Sequence, residues 1–324
     1  MNKLVFNIKN HMIDLAIVIP AYKIDFFKST LESFANQTCK DFRIYIGDDC
    51  SPNDFQKIVN QYRNKLDIVF KKFEKNLGRQ SLVAQWTRCI DMIQNERWIW
   101  LFSDDDIIGS KCIELFYEEI KNHSPKDIYH FNVNIIDSKN NIIKKTNRYP
   151  SIITSEKFYK NHACGKIDSF VVEYIFSHDI YNRVNGFQYF DLAWGSDLAT
   201  WCKMGMKNGI HTIKGDFVYW RQSEKNITPN YERTIAKRKF RADVCFFEWA
   251  QSFFHYHRKI TLVTKWKLFR EFFTYSISLN RIDFDEILTI AVEKNIINRF
   301  FKKILIWLRP IIKIIKIIKK KIYK

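Results

Sequence analysis

From residue 15 to about 135, short apolar runs alternate with amphipathic segments, the sequence form of repeated β-α units around a mainly parallel sheet. Residues 15–20, 42–48, 68–73, 98–103 and 128–136 read as strands. Between them, residues 26–36, 54–62, 81–93 and 112–121 carry apolar side chains three and four apart and read as helices, with Asn53 and Ser110 placed to cap two of them. Four such crossovers predict a doubly wound α/β domain, whose ligands bind beyond the carboxyl ends of the strands where strand order reverses. The polar residues just after each strand are therefore the candidates for chemistry.

The pattern then changes. Residues 137–170 read as irregular or hairpin structure, and 170–177 as a strand leading to a turn at Asn185 and Gly186. A helix over 197–208, closed by Gly209, precedes a strand over 210–219. Beyond Pro229 the periodicity is helical, over 231–257, 261–278 and 283–295. No long Ser- or Gly-rich linker intervenes, so the helices are expected to pack on the α/β part. This reading divides the chain into an α/β domain (1–228), a helical region packed on it (229–298) and a basic amphipathic segment (299–324).

Composition supports a folded core: 46% of the 324 residues are apolar, with 28 Phe, 15 Tyr and 9 Trp. The formal charge is +18, but ten of the 53 basic residues and none of the 35 acidic ones lie between Arg299 and Lys324, so the basicity belongs largely to the tail. That concentration ranks nucleic-acid binding, which needs a basic surface spread along a groove, below an enzyme. The seven cysteines (39, 50, 89, 112, 164, 202 and 245) are odd in number and never spaced C-x-x-C, which argues against a disulfide framework or zinc site and for reduced, buried thiols. The first twenty residues do not resemble a secretory signal, so a cytoplasmic location is expected.

The sharpest chemical feature is Ser103-Asp104-Asp105-Asp106, which follows the apolar run Trp98-Ile99-Trp100-Leu101-Phe102. Three adjacent carboxylates at the mouth of a buried strand repel one another unless a cation neutralises them, and oxygen ligands of this kind suit Mn2+ or Mg2+. A solvated turn with a helix cap is the plainer alternative. Asp48-Asp49 ends another strand, Pro20-Ala21-Tyr22 follows the first and Asn76-Leu77-Gly78-Arg79 the third. A carboxylate there can accept from a base imide or ribose hydroxyl, Tyr22 offers a stacking face and Arg79 a rigid donor fork. A magnesium-dependent nucleotidyl- or phosphotransferase shares the acidic strand end, but the chain lacks a Gly-rich phosphate loop.

In these motifs the chain resembles the inverting family 2 glycosyltransferases of the GT-A (Rossmann-like) fold, over roughly residues 14–228. Residues 16–22 are similar to the family's opening strand, Gly47-Asp48-Asp49-Cys50-Ser51 to its base-binding segment, Asn76-x-Gly78 to its third-strand motif, and Ser103-Asp104-Asp105-Asp106 to its D-x-D-D metal motif, with Ser103 in place of the usual first Asp. The resemblance implies a GT-A sheet with a helical extension, and a nucleotide-sugar donor, by analogy UDP-linked, held by Pro20, Ala21, Tyr22, Asp48, Asp49, Asn76, Arg79 and Asp104. Asp105 is then the metal ligand for Mn2+ or Mg2+. Val184-Asn185-Gly186-Phe187 and Trp194-Gly195-Ser196-Asp197 resemble the stretch leading to the family's general base, which makes Asp197 the candidate base. Placement in the first turn of a helix also suits a structural acid, and the helix dipole would lower its pKa. Trp220-Arg221-Gln222-Ser223 with Asn226-Ile227-Thr228 resembles the segment closing over the diphosphate, so Arg221 is expected to neutralise charge on the leaving group. Ser223 stands where many relatives place a metal-binding His.

At 100° per residue, Lys302, Arg309, Lys313, Lys316, Lys320 and Lys324 fall on one stripe of the tail, and Ile304, Leu308, Ile311, Ile315, Ile318 and Ile322 on the opposite side, with Pro310 placed to interrupt the helix. No apolar run reaches the length of a membrane span. The expectation is a peripheral anchor on the anionic inner face of the plasma membrane, with Trp307 at headgroup level and a saccharide or lipid-linked saccharide as acceptor. A helix packed on the protein's own core is the alternative.

Overall fold

The computed structural model describes residues 14–223, 230–255 and 257–322. The N-terminal stretch before Asp14, residues 226–228 and the side chains of Lys316, Lys319, Lys320, Ile322 and Lys324 lie outside the described residues. In chain order the first half comprises β1 (Leu15–Ala21), α1 (Phe27–Ala35), β2 (Phe42–Asp48), α2 (Phe55–Asn60), β3 (Ile68–Lys72), α3 (Leu82–Ile90), β4 (Trp98–Leu101), β5 (Ile107–Ile108), α4 (Cys112–Asn122) and β6 (Ile128–Ile136). There follow β7 (Ile142–Lys145), β8 (Ile152–Ile153), α5 (Ser155–Ala163), β9 (Tyr174–Ser177), α6 (His178–Arg183), α7 (Ser196–Met204) and β10 (Ile210–Arg221). The helices α8 (Arg233–Phe253), α9 (Arg258–Tyr275), α10 (Arg281–Glu293) and α11 (Arg299–Ile322) complete the described chain.

Among the described residues these strands form a ten-stranded sheet in the order β3-β2-β1-β4-β9-β6-β10-β5, with β7 beside β6 and β8 beside β10. β1 runs parallel to β2 and β4, β2 to β3 and β6 to β10, whereas β9 is antiparallel to both β4 and β6, so the sheet is mixed at its centre. The chain steps outward from β1 to β3 and returns to place β4 on the other side of β1. Strand order therefore reverses between β1 and β4, the position at which open α/β sheets bind their ligands.

Side-chain alternation accounts for the layers. Leu15, Ile17 and Ile19 pack with α1, α2 and α4 on one face, while Ala16 and Val18 join α3, α5, α6 and α7 on the other. That second core runs on without a break into α8, α9, α10 and the start of α11. Hydrogen bonds tie the layers: the Tyr159 and Thr264 hydroxyls lie 2.7 Å apart, and Arg270 donates to the Ala163 carbonyl at 2.9 Å.

Several local expectations are corrected. Asp54, not Asn53, caps α2 by accepting from Lys57 N at 3.0 Å, and Ser110 caps nothing because Lys111 holds the position before α4 and gives its N–H to Asp216. Residues 137–170 contain the hairpin β7 and also helix α5, started by the Thr154 hydroxyl. The strand expected over 170–177 opens with a 3-10 turn at Val171–Glu173 before β9 begins. α7 ends at Met204, earlier than expected, with Gly205 as its cap. All seven cysteines are free, but of the thiols expected to be buried only Cys89, Cys112 and Cys202 are; Cys39, Cys50 and Cys245 are half-buried and Cys164 is exposed.

The tail packs differently from a simple two-sided helix. Leu305 and Ile312 are its buried residues, Lys302 pairs with Asp285 at 2.8 Å, and Arg309 donates to the Leu279 carbonyl at 2.7 Å. Two side chains expected to face lipid phosphates thus face the protein. α11 continues through Pro310 instead of breaking there. Beyond it Ile311, Ile314, Ile315 and Ile318 are exposed, as is Trp307 before it.

Trp100 supports the strand that carries the acidic cluster. It is fully buried, donates from Nε1 to the Val172 carbonyl at 2.7 Å and stacks on Phe131. Trp100→Ala is expected to destabilise the fold by about 3–5 kcal/mol, seen as a lower urea midpoint with an unchanged m-value.

Candidate active site

The acidic motif leaves β4 at the point where strand order reverses, and all three carboxyl groups are buried: Asp104, Asp105 and Asp106 are 3%, 4% and 1% exposed. Asp104 Oδ2 accepts the backbone N–H groups of Tyr22 and Lys23 at 2.7 and 2.6 Å, which ties the end of β4 to the end of β1. The Lys23 ammonium bonds Asp105 Oδ2 and lies 3.8 Å from Asp104 Oδ1. Asp105 Oδ1 also accepts from Ser103 Oγ at 2.8 Å, and Asp106 Oδ1 from the Arg221 N–H at 2.6 Å. The cation that the sequence demanded is, in this state, a side chain of the protein.

The electrostatics follow from burial. Desolvation pushes the Asp104 carboxyl up to about 6, with Lys23 and the two N–H groups opposing and Asp105 adding to the shift. Burial and the Asp105 charge raise Asp106 well above the carboxylate range. Burial alone would lower Lys23, but attraction to Asp104 and Asp105 outweighs it and holds the ammonium above its ordinary value.

The second acidic pair divides its work. Asp49 Oδ1 and Oδ2 accept the N–H groups of Leu77 and Gly78 at 2.7 and 2.9 Å, and Asp49 also pairs with Arg88, which pins the loop between β3 and α3. A Cβ at Gly78 would sit 2.6 Å from Asp49 Oδ2, so only glycine lets the backbone approach this closely. In the same loop Asn76 accepts the Arg79 N–H at 2.8 Å, and Arg79 is exposed. Asp48, 1% exposed, accepts from Ser51 N at 2.7 Å through Oδ1, while its buried Oδ2 has no hydrogen-bond partner and lies 3.8 Å from the Lys72 ammonium. Burial raises its pKa against the pull of the Ser51 N–H and Lys72. Pro20 and buried Ala21 end β1, and Tyr22 beyond them is 47% exposed, its face open to a ring.

Asp197 stands in the first turn of α7, half-buried, on the wall of a cavity of about 400 Å³. Gly195, before the helix, has φ +84°, and a Cβ there would be 3.2 Å from Phe246. Leu192 and Ala193 also adopt positive φ, a strained conformation for non-glycine residues of the kind that gathers at functional sites. Burial pushes the Asp197 carboxyl up to about 6, against the N–H groups of the helix start. The expected lowering by the helix dipole is therefore overturned, because desolvation is the larger effect.

Arg221 is placed differently from the sequence reading. It is fully buried: Nε donates to the Asp105 carbonyl, Nη1 to the Asp137 carbonyl and Nη2 to Asn140 Oδ1, each at 2.7 Å, with Phe26 against the guanidinium plane. It clips the acidic segment to the turn before β7. Its neighbour Trp220 lines the Asp197 cavity.

The structure therefore gathers Tyr22, Asp48, Asp104 and Asp105 at adjoining strand ends, and sets Asp197 in a cavity that Trp220 connects to the same strand as Arg221. Sequence reasoning missed Lys23, whose signal was a cation directly after the first-strand motif. Asp243 and Glu271, buried acids of α8 and α9 that line the Asp197 cavity, were not singled out either.

Sheet order and the acidic end of β4 at the point of reversal are those of an α/β fold that binds its ligand at the strand ends. The model of the family described as glycosyl transferase family 2 matches residues 16–178, half of the sequence, and the chain belongs to that family. An uncharacterised glycosyltransferase of Methanocaldococcus jannaschii is 31% identical over 142 residues, 42% of this chain and 47% of its own length; the chain thus spans about half of that relative. Residues 1–349 of S. aureus TarS in complex with UDP-GlcNAc superpose with a TM-score of 0.57 at 16% identity, covering 87% of this chain and 88% of that one. GalNAc-T7 with UDP, GalNAc and Mn2+ gives 0.51 at 9% identity, over 71% and 47%. These likenesses are of fold. Asp197 and Arg221 lie beyond the segment that the family model matches.

The folded pKa of Asp197 lies above its unfolded value, so the stabilisation of its protonated form is complete below about pH 4 and is lost as pH rises through about 6. Asp197→Asn is expected to raise Tm by a few degrees at pH 8 and not at pH 4, measured by scanning calorimetry.

Proposed function

We propose that the chain transfers a sugar from a UDP-sugar to a saccharide acceptor with inversion at the anomeric carbon. The observation that carries this reading is Asp48 Oδ2, buried at a strand end of a family 2 glycosyltransferase fold without a hydrogen bond, its ion-pair partner Lys72 standing off at 3.8 Å. A buried acceptor without a donor is costly, and a base imide N–H would relieve it. Asp48 Oδ1 is already taken by Ser51, so one free oxygen suits the single imide donor of uracil better than the two adjacent donors of guanine. Tyr22 supplies the stacking face and Asp104 Oδ1 an acceptor for ribose or diphosphate-side groups. The TarS complex with UDP-GlcNAc supports the donor class by likeness of fold.

The residues fit a divalent metal of the Mn2+ or Mg2+ kind. The donor set is hard carboxylate oxygen, and Asp105 Oδ2 already faces a cation, the Lys23 ammonium. Among the described residues no three His, Cys, Asp or Glu side chains are grouped to hold a metal by themselves. Asp105 would hold it, and when bound it neutralises charge on the departing nucleoside diphosphate. GalNAc-T7 with Mn2+ supports this by fold.

Asp197 accepts the proton of the acceptor hydroxyl. Its pKa of about 6 leaves it mostly ionised at neutral pH, yet a stronger base than an ordinary carboxylate. The hydroxyl oxygen then attacks opposite the leaving group, which inverts the anomeric carbon. Arg221 serves as a positioning residue that fixes the Asp105 backbone. We place the division between the α/β domain and the helical region near residue 228 and assign the acceptor to lipid-linked saccharides of surface polysaccharide synthesis. The support is the exposed apolar face of α11 beside Lys303 and Lys313, which suits an anionic leaflet on the cytoplasmic side. No helix among the described residues is long and apolar enough to cross a membrane.

In thermal-shift assays, UDP with Mn2+ is expected to stabilise the protein, Asp48→Ala to abolish the shift, and Asp197→Asn to keep it while reducing transfer by about 10²–10⁴-fold. Turnover should release UDP and not pyrophosphate, and kcat/KM should fall as pH drops through about 6. Stabilisation by no nucleotide would defeat the assignment. For the tail, sedimentation with vesicles containing phosphatidylglycerol should recover the protein, and replacing Ile311, Ile314, Ile315 and Ile318 by Ser should leave it in the supernatant. Equal recovery of both proteins would refute the anchor.

A further inference from the structure

The seam between α10 and α11 holds a groove of about 790 Å³, within the usual range for small-molecule sites, about 300–1,000 Å³. One rim follows the turns of α10 from Arg281 to Val292, and the other follows the turns of α11 from Arg299 to Pro310. Its charge is one-sided: Arg281, Arg299, Lys302, Lys303 and Arg309 line it against a single acid, Asp285.

The five cations have different tasks. Lys302 is matched to Asp285 at 2.8 Å and to the Thr289 hydroxyl at 2.7 Å, and Arg309 gives Nη2 to the Leu279 carbonyl at 2.7 Å, so these two clamp the helices together. The buried Nε of Arg309 has no hydrogen-bond partner. Arg281, Arg299 and Lys303 are exposed and, among the described residues, form no ion pair. Arg299 stands three residues before Lys302 and four before Lys303 in the first turn of α11, a spacing at which like charges repel, and no acid shares that turn. An anion seated on Arg299 and Lys303 would remove this repulsion, and a guanidinium fork matches phosphate oxygens with paired N–H donors.

The same stripe of α11 changes character further on. Ile306, Trp307 and Pro310 also line the groove, and Trp307, 69% exposed, lies one turn beyond Lys303. From Trp307 the stripe continues through exposed Ile311, Ile314 and Ile318, three and four residues apart. A ligand that fits both parts joins a phosphate to an apolar chain. Inorganic phosphate leaves Trp307 and the isoleucines uncovered, and a nucleic acid has no chain to set against them.

We propose that this groove is a headgroup site for an anionic membrane phospholipid, whose phosphate is held by Arg299 and Lys303 and whose glycerol and upper acyl chain pack on Ile306 and Trp307. The proposal rests on the anchoring reading of α11 above and deepens it. An apolar helix face alone enters a leaflet without choosing its lipids, whereas this groove takes one lipid per chain and selects it by headgroup charge.

The test uses the full chain and dihexanoyl-phosphatidylglycerol below its micelle-forming concentration, titrated by calorimetry. The wild type should bind one molecule per chain, with dihexanoyl-phosphatidylcholine and inorganic phosphate each at least about tenfold weaker. Replacing Arg299 and Lys303 together by Gln should raise the Kd for the phosphatidylglycerol about tenfold or more, the effect of losing charge-assisted hydrogen bonds. Replacing Lys57 and Lys121, exposed lysines of α2 and α4 on the opposite face of the sheet, by Gln should leave it unchanged. Far-UV circular dichroism checks that both variants fold, and the comparison of the three ligands on the wild type needs no variant. The proposal is overturned if the short-chain phosphatidylglycerol does not bind, if phosphatidylcholine or phosphate binds as tightly, if both variants lose affinity equally, or if a single-stranded oligonucleotide displaces the lipid at lower concentration. Sedimentation with vesicles but no binding of the monomeric lipid would leave the anchor standing and refute the groove. Binding of the monomeric lipid without sedimentation would support the groove and refute the anchor.

Discussion

Two backbone N–H groups at the end of β1 grip a carboxylate that follows β4, and the cleft between these strands takes its shape from that contact. Asp104 loses most of its hydration, and the N–H groups of Tyr22 and Lys23 replace part of it. The same turn brings the Lys23 ammonium onto Asp105. Arg221, from the far end of β10, holds the backbone of the acidic segment from the other side. A buried acidic run without these partners would be driven apart or protonated.

The architecture also joins two units into one working surface. The family segment supplies the strand-end carboxylates and all of the sheet but β10, and the core on one face of the sheet continues without interruption into the last four helices. Asp197 sits at that junction, behind a stretch of left-handed backbone at Leu192, Ala193 and Gly195. It shares its cavity with side chains of α8 and α9.

How much of this was legible depends on the range of the cause. β2 and β6 were read with their observed boundaries because each is rich in β-branched and aromatic residues and lies between turn residues. α5 was not, because its apolar residues are few and its helix start depends on a single Thr154 hydroxyl. β5 spans two residues and exists only through pairing with the distant β10. The motif residues at strand ends were visible, whereas their partners were not. Nothing local to Arg221 announces that carbonyls of Asp105 and Asp137 will surround it, and nothing local to Asp197 announces that side chains of α8 and α9 will line the same cavity. The tail's cationic pattern was plain, but the amphipathic wheel could not show that Lys302 and Arg309 turn back onto α10 and Leu279.

The placement of Lys23 reaches beyond the cleft itself. Because the ammonium belongs to the polypeptide, the acidic loop can reach its native shape during synthesis without drawing on the cell's pool of free divalent ions. The charge that balances the loop is thus encoded in the chain and travels with it, whatever the ionic composition of the surroundings.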